Sequence, residues 1–403
     1  MTEENPRIEK LKALRAASKL GGGQDRIDKQ HAKGSLTARE RIDLLLDKGS
    51  FREIGALTTG LNDPEGKSGY GDGVVTGYGQ VDGRTVYVYA QDFTFQGGSL
   101  GKMQADKICR VMDLAVKTGS PIVGMIDSGG ARIQEGVYSL GGYAEIFRRN
   151  AVYSGVVPQI SLIMGPCAGG ASYSPAVTDL VIMVRKQSYM FLTGPAVIKT
   201  VTGEEVDSET LGGADVHLTV SGNCQLVGDN EQDAIALARQ ALSYLPSNNV
   251  EQAPVASNAE AINRRSEMLN TIVPEDPSQS YSMKNAIHAI MDQGSFLEIQ
   301  AGYAPNAIVG LARLAGRPVG VVSQEPAMMA GVMDINSADK ISRLVRMCDA
   351  FNLPIVTFVD SPGFLPGVHQ EHGGVIRHGA KVLFAYAEAD RKSTRLNSSH
   401  VSQ

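Results

Sequence analysis

Apolar residues recur at three- and four-residue spacing from residue 7 to residue 20, beginning Arg7-Ile8-Glu9-Lys10-Leu11-Lys12-Ala13-Leu14. The pattern predicts an amphipathic leading helix, which Gly21-Gly22-Gly23 ends. From about Val74 the pattern changes to short β-rich runs: Thr85-Val86-Tyr87-Val88-Tyr89, Pro121-Ile122-Val123-Gly124-Met125-Ile126 and Gln159-Ile160-Ser161-Leu162-Ile163-Met164. Longer stretches of helical spacing, such as Met103 to Lys117, lie between them. Strands alternating with helices predict α/β layers around buried, largely parallel strands.

The pattern also repeats itself. Ala105-Asp106-Lys107-Ile108-Cys109-Arg110 returns as Ala338-Asp339-Lys340-Ile341-Ser342-Arg343, an offset of 233 from Asp106 to Asp339. Pro121-Ile122-Val123 and Asp127-Ser128 return at the same offset as Pro354-Ile355-Val356 and Asp360-Ser361, and Gly83-Arg84 returns as Gly316-Arg317. Upstream, Asp47-Lys48-Gly49-Ser50-Phe51 is echoed by Asp292-Gln293-Gly294-Ser295-Phe296. The chain therefore reads as one α/β domain written twice: a first copy over 1–245, a linker rich in Pro, Asn and Ser over 246–282, and a second copy over 283–390. The offset calls for an apolar strand near position 389. The polar run Arg391-Lys392-Ser393-Thr394-Arg395-Leu396-Asn397-Ser398-Ser399-His400 has no β character, so 391–403 is expected to be foreign to the fold and the second copy truncated.

Composition narrows the function. Of 403 residues, 42% are hydrophobic and 20% charged, enough to build sizeable cores, and the net charge of −5 supplies no field for nucleic acid or an anionic membrane. Four dispersed cysteines, Cys109, Cys167, Cys224 and Cys348, form neither a zinc-binding pair nor a disulfide framework. With no signal-like apolar run at the N-terminus and no stretch of 18 apolar residues, the cytoplasm is the expected location and direct membrane insertion is not expected.

Several motifs fail on spacing. Gly60 to Gly66-Lys67-Ser68 has one residue too many for a phosphate-binding loop and places Asp63 where phosphate would sit. Gly77, Gly79 and Gly83 miss the dinucleotide spacing. Asp127-Ser128-Gly129-Gly130 imitates a serine-protease segment, but only His31 lies upstream, so a hydrolase of crotonase-like type is a poor alternative. His369, His372 and His378 with Glu371 lie on a glycine-rich connection and are expected to hold no metal.

Two glycine-rich strand ends remain: Asp127-Ser128-Gly129-Gly130-Ala131-Arg132, and Gly165-Pro166-Cys167-Ala168-Gly169-Gly170-Ala171 leading into a helix. Such turns free main-chain N–H groups to stabilise an oxyanion, though the same glycines would also serve as tight strand-to-helix turns. The second copy carries its own version at Asp360-Ser361-Pro362-Gly363-Phe364-Leu365-Pro366-Gly367, and two such sites could hold two enolate-like oxyanions.

These segments, together with Lys29 to Gly34, Thr37-Ala38-Arg39-Glu40-Arg41, Gln91 to Thr94, Gly97-Gly98-Ser99-Leu100-Gly101, Phe191 to Val201, Leu245 to Asn249 and Gln370 to Lys381, resemble the carboxyltransferase subunits of biotin-dependent acyl-CoA carboxylases. The resemblance covers about 7–389 and lies nearest the branch that handles propionyl-CoA and methylmalonyl-CoA. It implies tandem crotonase-like domains, the first binding acyl-CoA and the second binding carboxybiotin. It also implies biotin delivered by a separate carrier, a biotin carboxylase as partner, and a homo-oligomer, hexameric in the family. Residue by residue, Gly169 and Gly170 with the loop of Gly129, Gly130 and Ala131 would hold the thioester enolate. Gly97, Gly98, Ser99, Ala131 and Arg132 would line the CoA channel, and Pro362, Gly363, Phe364 and Leu365 would lie on the biotin side. The reverse reaction, decarboxylation of methylmalonyl-CoA, would use the same residues.

In this reading the chain carries no biotin itself, since the acceptor lysine of carrier domains sits in Met-Lys-Met and that triplet is absent from the 403 residues. A streptavidin blot of the purified chain is expected to be blank; a covalent signal would contradict the separate carrier.

Overall fold

The computed structural model describes residues 5–257, 259–261, 263–276 and 278–389, and the backbone of 393–397. It divides into two compact units, Met1–His217 with Leu226–Arg239, and Leu218–Gln225 with Gln240–Gln403.

The first unit is built on β1 (Arg52–Ile54), β2 (Val74–Val81), β3 (Arg84–Gln91), β4 (Ile122–Ser128), β5 (Gln159–Ala168), β6 (Leu180–Val184), β7 (Tyr189–Phe191) and β8 (Leu226–Gly228). The sheet order is β1-β2-β3-β4-β5-β6-β8, with β7 also pairing β5. The β2–β3 pair is an antiparallel hairpin, and β3 through β6 run parallel. Every residue of β4 is buried, as expected of a strand covered on both faces. The helix Lys102–Thr118 buries Ala105, Ile108, Val111, Met112 and Ala115, one stripe at helical spacing, and ends at Gly119 in the left-handed region.

The second unit repeats this with β9 (Leu297–Ile299), β10 (Ala307–Leu314), β11 (Arg317–Gln324), β12 (Ile355–Val359) and β13 (Ser393–Asn397), in the order β13-β12-β11-β10-β9. Its helix Ile335–Ala350, opened by an Asp334–Ser337 capping box, buries Ala338, Ile341, Leu344, Val345 and Cys348, the 233-offset counterparts of the first stripe. The repetition extends to single hydrogen bonds. Lys107 Nζ donates to the carbonyls of Gly71 and Val74, and Lys340 Nζ donates to those of Ala304 and Ala307. The Asp47 carboxylate accepts from the amides of Asp82 and Gly83, and the Asp292 carboxylate from those of Ala315 and Gly316.

Two readings of the sequence need correction. The supposed linker is part of the second unit: Ala256 N donates to Gly316 O at 2.9 Å, and Arg264 donates to the carbonyls of Ala289, Ile290 and Met291 at the end of the helix Met283–Ile290. The polar run after Asp390 does have β structure, because the backbone of 393–397 pairs parallel with β12 from Ile355↔Ser393 to Val359↔Asn397. A strand pairs through main-chain groups, which polar residues supply as well as apolar ones. In the first unit β5 takes the same place beside β4. Residues 391–392 and 398–403 of the expected foreign tail lie outside the described residues.

The duplication also tests one tight approach. Gly97 and Gly98 both have φ of 63°. A β-carbon on Gly98 would lie 1.9 Å from Asp127 O, whereas one on Gly97 meets nothing nearer than Phe93 at 4.0 Å. Their counterparts are Ala330, at φ of 51°, and Gly331, whose β-carbon would lie 2.4 Å from Asp360 O. Gly97→Ala is therefore expected to cost only about 1–2 kcal/mol for the left-handed backbone. Gly98→Ala is expected to cost on the order of 4 kcal/mol or to prevent folding, since a backbone must move. Urea unfolding of both variants checks the contrast; equal losses would refute it.

Candidate functional site

Strand β4 ends at Ser128 and runs into Gly129-Gly130-Ala131-Arg132; its parallel neighbour β5 ends at Ala168, and Gly169 caps the helix Gly170–Val177. Both turns leave the carboxyl ends of adjacent parallel strands, where open α/β sheets place their ligands. The segment 97–100 lies against the first turn. Leu100 N donates to Gly130 O and Arg132 N to Leu100 O, each at 2.9 Å. Gly130, at φ of 105°, would bring a β-carbon to 3.0 Å from Ala168 O, so its missing side chain is what lets the two turns approach.

Which main-chain donors remain for a ligand follows from the hydrogen bonds. Gly129 N donates to Gly97 O at 3.0 Å, Gly130 N to Ser128 Oγ at 3.1 Å, and Gly169 N to Phe191 O at 3.0 Å. These three amides are consumed by the fold, which corrects the expectation that Gly129, Gly130 and Gly169 offer N–H groups to an oxyanion. Among the described residues, the amides of Ala131 and of Gly170, the first residue of its helix, have no partner within the protein. Behind Gly170 stands the buried Tyr143 ring, which a β-carbon there would meet at 3.0 Å. Ser128 is fully buried with its hydroxyl accepting from Gly130 N, so it is no exposed nucleophile and the hydrolase alternative loses its serine.

A cleft of about 680 Å³ opens over the first turn, lined by Phe93, Phe95, Gly97, Ser99, Ala131 and Ile133 among others. It gathers most of the predicted substrate residues; Gly98 lies buried beneath them. Arg132 reaches the cleft wall but its charge is already in use. It is 4% exposed, and its Nη1 donates to Asp72 Oδ1 at 2.6 Å and Glu135 Oε1 at 2.8 Å, with Nη2 on Ser99 O at 3.0 Å. Arg132 lines the cleft while its guanidinium fastens the loop at Ser99 to the turn. Burial pushes the Asp72 carboxyl up while Arg132 opposes the rise. At the rim, Asp63 accepts from the amides of Ser68 at 2.6 Å and Lys67 at 2.9 Å, which hold it below the usual carboxylate range.

The second unit reproduces the first turn. Met333 N donates to Gly363 O at 2.9 Å, Leu365 N to Met333 O at 2.7 Å, and Gly363 N to Ser361 Oγ at 3.2 Å. Phe364 occupies the place of Ala131, and its ring, 44% exposed, lies against Gly379. Pro362 and Gly363 are exposed and Leu365 half-buried. By the offset, the partner turn that would answer Gly169-Gly170 falls beyond residue 397, outside the described residues.

Under the first turn lies a group that enters the sequence reading only inside a quoted motif. Arg41, with no exposure at all, donates from Nη1 to Asp127 Oδ2 and from Nε to Glu231 Oε2, both at 2.7 Å, from Nη2 to Glu231 Oε1 at 2.9 Å, and to Met164 O at 3.3 Å. Burial lowers and the two carboxylates raise its proton affinity, and the carboxylates win. Burial pushes the Asp127 carboxyl up, against the pull of Arg41. The signal was its position: Arg41 falls on the buried stripe Ala38, Ile42, Leu45 of the helix Ala38–Leu45. An arginine on an apolar stripe demands buried carboxylates to meet it.

Two α/β units, each pairing its strand-end glycine turn with a left-handed loop, define a duplicated crotonase-like carboxyltransferase. The chain belongs to the carboxyl transferase domain family, whose model matches residues 29–392. It is 53% identical over 386 residues, 95% of this chain and 76% of the relative, to the propionyl-CoA carboxylase beta chain of Roseobacter denitrificans. It is 54% identical over 392 residues to the methylmalonyl-CoA decarboxylase subunit alpha of Veillonella parvula, covering 96% of this chain and 77% of that one. The transcarboxylase 12S structure, a hexamer with methylmalonyl-coenzyme A and methylmalonic acid bound, superposes with a TM-score of 0.94 at 47% identity, covering 98% of this chain and 78% of that one. The protein is an enzyme of this type, a carboxyltransferase. No described helix is long and apolar enough to cross a membrane.

Arg41→Ala would leave Asp127 and Glu231 buried without their cation, an expected loss of roughly 3–5 kcal/mol. The stranded carboxylates would have folded-state proton affinities raised above their unfolded ones, so the variant should gain stability relative to the parent as pH falls from 7 to 5. Urea midpoints at the two pH values measure this; a gap between parent and variant that widens on acidification would refute it.

Proposed function

We propose that the enzyme transfers a carboxyl group between biotin borne by a separate carrier and the α-carbon of a short-chain acyl-CoA such as propionyl-CoA. The thioester enolate oxygen is held by the main-chain amides of Ala131 and Gly170. The observation that carries this is an unspent amide, that of Ala131, on a cleft whose carboxylates are all engaged, Asp72 and Glu135 on Arg132 and Asp63 on its own loop, with the unspent amide of Gly170 on the adjoining turn. Such a site stabilises negative charge on oxygen and supplies no side-chain base. The residues therefore fit a group that brings its own chemistry, which for carboxybiotin is CO2 and a proton acceptor for the α-carbon.

The chain's part is to bind, orient and stabilise. The cleft over Gly97 and Ser99 takes the acyl thioester, with Phe93 and Phe95 supplying apolar contact. Gly170 N–H, at the positive end of its helix, and Ala131 N–H, fixed by the two hydrogen bonds that flank it at Leu100, meet the oxygen as charge develops. The turn Ser361 to Leu365 faces the biotin side. The equal likeness to propionyl-CoA carboxylase and methylmalonyl-CoA decarboxylase subunits supports one site used in both directions. Likeness to the transcarboxylase 12S hexamer supports assembly of several copies, with a biotin carboxylase and its carrier as partners in the forward direction.

Gly170→Val is expected to lower kcat by about two orders of magnitude, the loss of one oxyanion donor, roughly 3 kcal/mol. The affinity for propionyl-CoA, measured by calorimetry, should change less than about threefold, because a ground-state carbonyl gains little from that amide. Near-normal kcat in the variant would remove Gly170 from the site.

A further inference from the structure

The duplication gives the same carboxylate twice, at the penultimate residue of β4 and directly after β12, and the two copies are held differently. Asp127 is buried and clamped by a cation, Arg41. Asp360, its 233-offset counterpart, is half-buried, and its Oδ2 accepts a hydrogen bond of 2.5 Å from the hydroxyl of Tyr281. Tyr281 comes from the segment before the helix Met283–Ile290, where its neighbours are fixed in turn: Ser282 Oγ donates to Glu325 Oε2 at 2.8 Å and Met283 N to Glu325 Oε1 at 3.2 Å. The tyrosine thus reaches Asp360 from a rigid base.

What Asp360 holds is the loop on the biotin side. Its carbonyl is the atom against which Gly331 packs, at 2.4 Å from where a β-carbon would be, and its amide donates to Gln324 Oε1 at 3.3 Å. Four residues on, Phe364 presents the amide that corresponds to Ala131. The loop 362–364 is exposed, whereas Ser128 and Gly130 of the first turn are buried, so packing alone orders it less and the side-chain anchor counts for more.

We propose that Tyr281 is a positioning residue for the carboxybiotin-side turn: through its hydrogen bond to Asp360 it sets the orientation of Gly363 and Phe364, as Arg41 sets Gly129 to Ala131 through Asp127. The inference rests on the reading above that this turn serves biotin. A neutral hydroxyl gives the same anchoring as arginine without requiring a second buried carboxylate, which suits a half-exposed turn.

The test is Tyr281→Phe in the full chain, with Gly363→Val as the probe of the underlying reading. Amide hydrogen exchange over 361–365 should accelerate at least about tenfold in Tyr281→Phe, the weight of one hydrogen bond to a charged acceptor, and stay unchanged over 128–132. In biotin-dependent decarboxylation of methylmalonyl-CoA with free biotin, KM for biotin should rise about tenfold while KM for methylmalonyl-CoA holds. Asp360→Asn, whose amide oxygen still accepts from Tyr281, should restrict the rise to about threefold, and Tyr281→Phe with Asp360→Ala together should lose no more than Asp360→Ala alone. Unchanged exchange, or faster exchange with both KM values unaltered, would overturn the proposal. If Gly363→Val also leaves the biotin KM untouched, the assignment of the turn to biotin fails instead.

Discussion

A single buried cation organises the first turn. Arg41 joins four segments that are far apart in sequence: its own helix, the end of β4 through Asp127, β5 through Met164 O, and the start of the helix Glu231–Tyr244 through Glu231. Burying a guanidinium costs several kcal/mol, and the cost is offset only when its donors all find acceptors of good geometry. That requirement explains the neighbourhood. The helix is pinned at its start by a reciprocal Thr37–Glu40 capping box, which fixes the direction in which Arg41 leaves it. Gln187 donates to Met164 O and to Glu231, filling acceptor sites that Arg41 leaves open. The ends of β4 and β5 are then held at a set separation, and the glycine turns that follow inherit it.

The two units conserve main-chain geometry more closely than side chains. The bonds that hold Leu100 to Gly130 and Arg132 recur between Met333, Gly363 and Leu365, down to a serine hydroxyl beneath each glycine amide. The left-handed loops recur at Gln96-Gly97-Gly98 and Met329-Ala330-Gly331, although two of the second set have side chains and bear the strain. Buried lysines cap the same two carbonyls in each copy. What has diverged is how each turn is anchored and what stands at the amide position: Ala131 in a closed setting, Phe364 with its ring exposed. A loop shared in form but differing at that one position suits two different ligands on a common scaffold.

The duplication, the alternation of strands and helices and the two glycine turns were all legible in sequence, because each rests on local pattern: offset repeats, period, and residues without side chains. Which amide is free was not. Gly129, Gly130 and Gly169 look better suited to oxyanion binding than Ala131 does, yet their N–H groups are spent on Gly97, Ser128 and Phe191, partners fixed by tertiary pairing. The partner of Arg132 was not legible for the same reason, since Asp72 lies sixty residues upstream and its approach is set by the sheet. The segment 246–282 read as a linker because turn-forming residues look alike whether the turn floats or packs. The polar run after Asp390 read as structureless because apolar alternation marks burial, while strand pairing needs only the backbone.

The placement of charge bears on why amides rather than arginines face the cleft. Two guanidinium groups lie beside the first turn, and both are neutralised: Arg41 by Asp127 and Glu231, Arg132 by Asp72 and Glu135. Under the proposed chemistry one acyl-CoA partner carries a free carboxylate and the other does not. An unpaired cation at the turn would bind that carboxylate in the ground state and favour one side of the reaction without lowering the barrier. Fixed amide dipoles discriminate differently. They are short-ranged, they point at one position, and they gain most from an oxygen whose charge grows there as the enolate forms. Locking both arginines to carboxylates therefore does two things at once: it builds the rigid frame that holds Ala131 and Gly170 in place, and it keeps full charges from competing with the partial ones that the reaction uses.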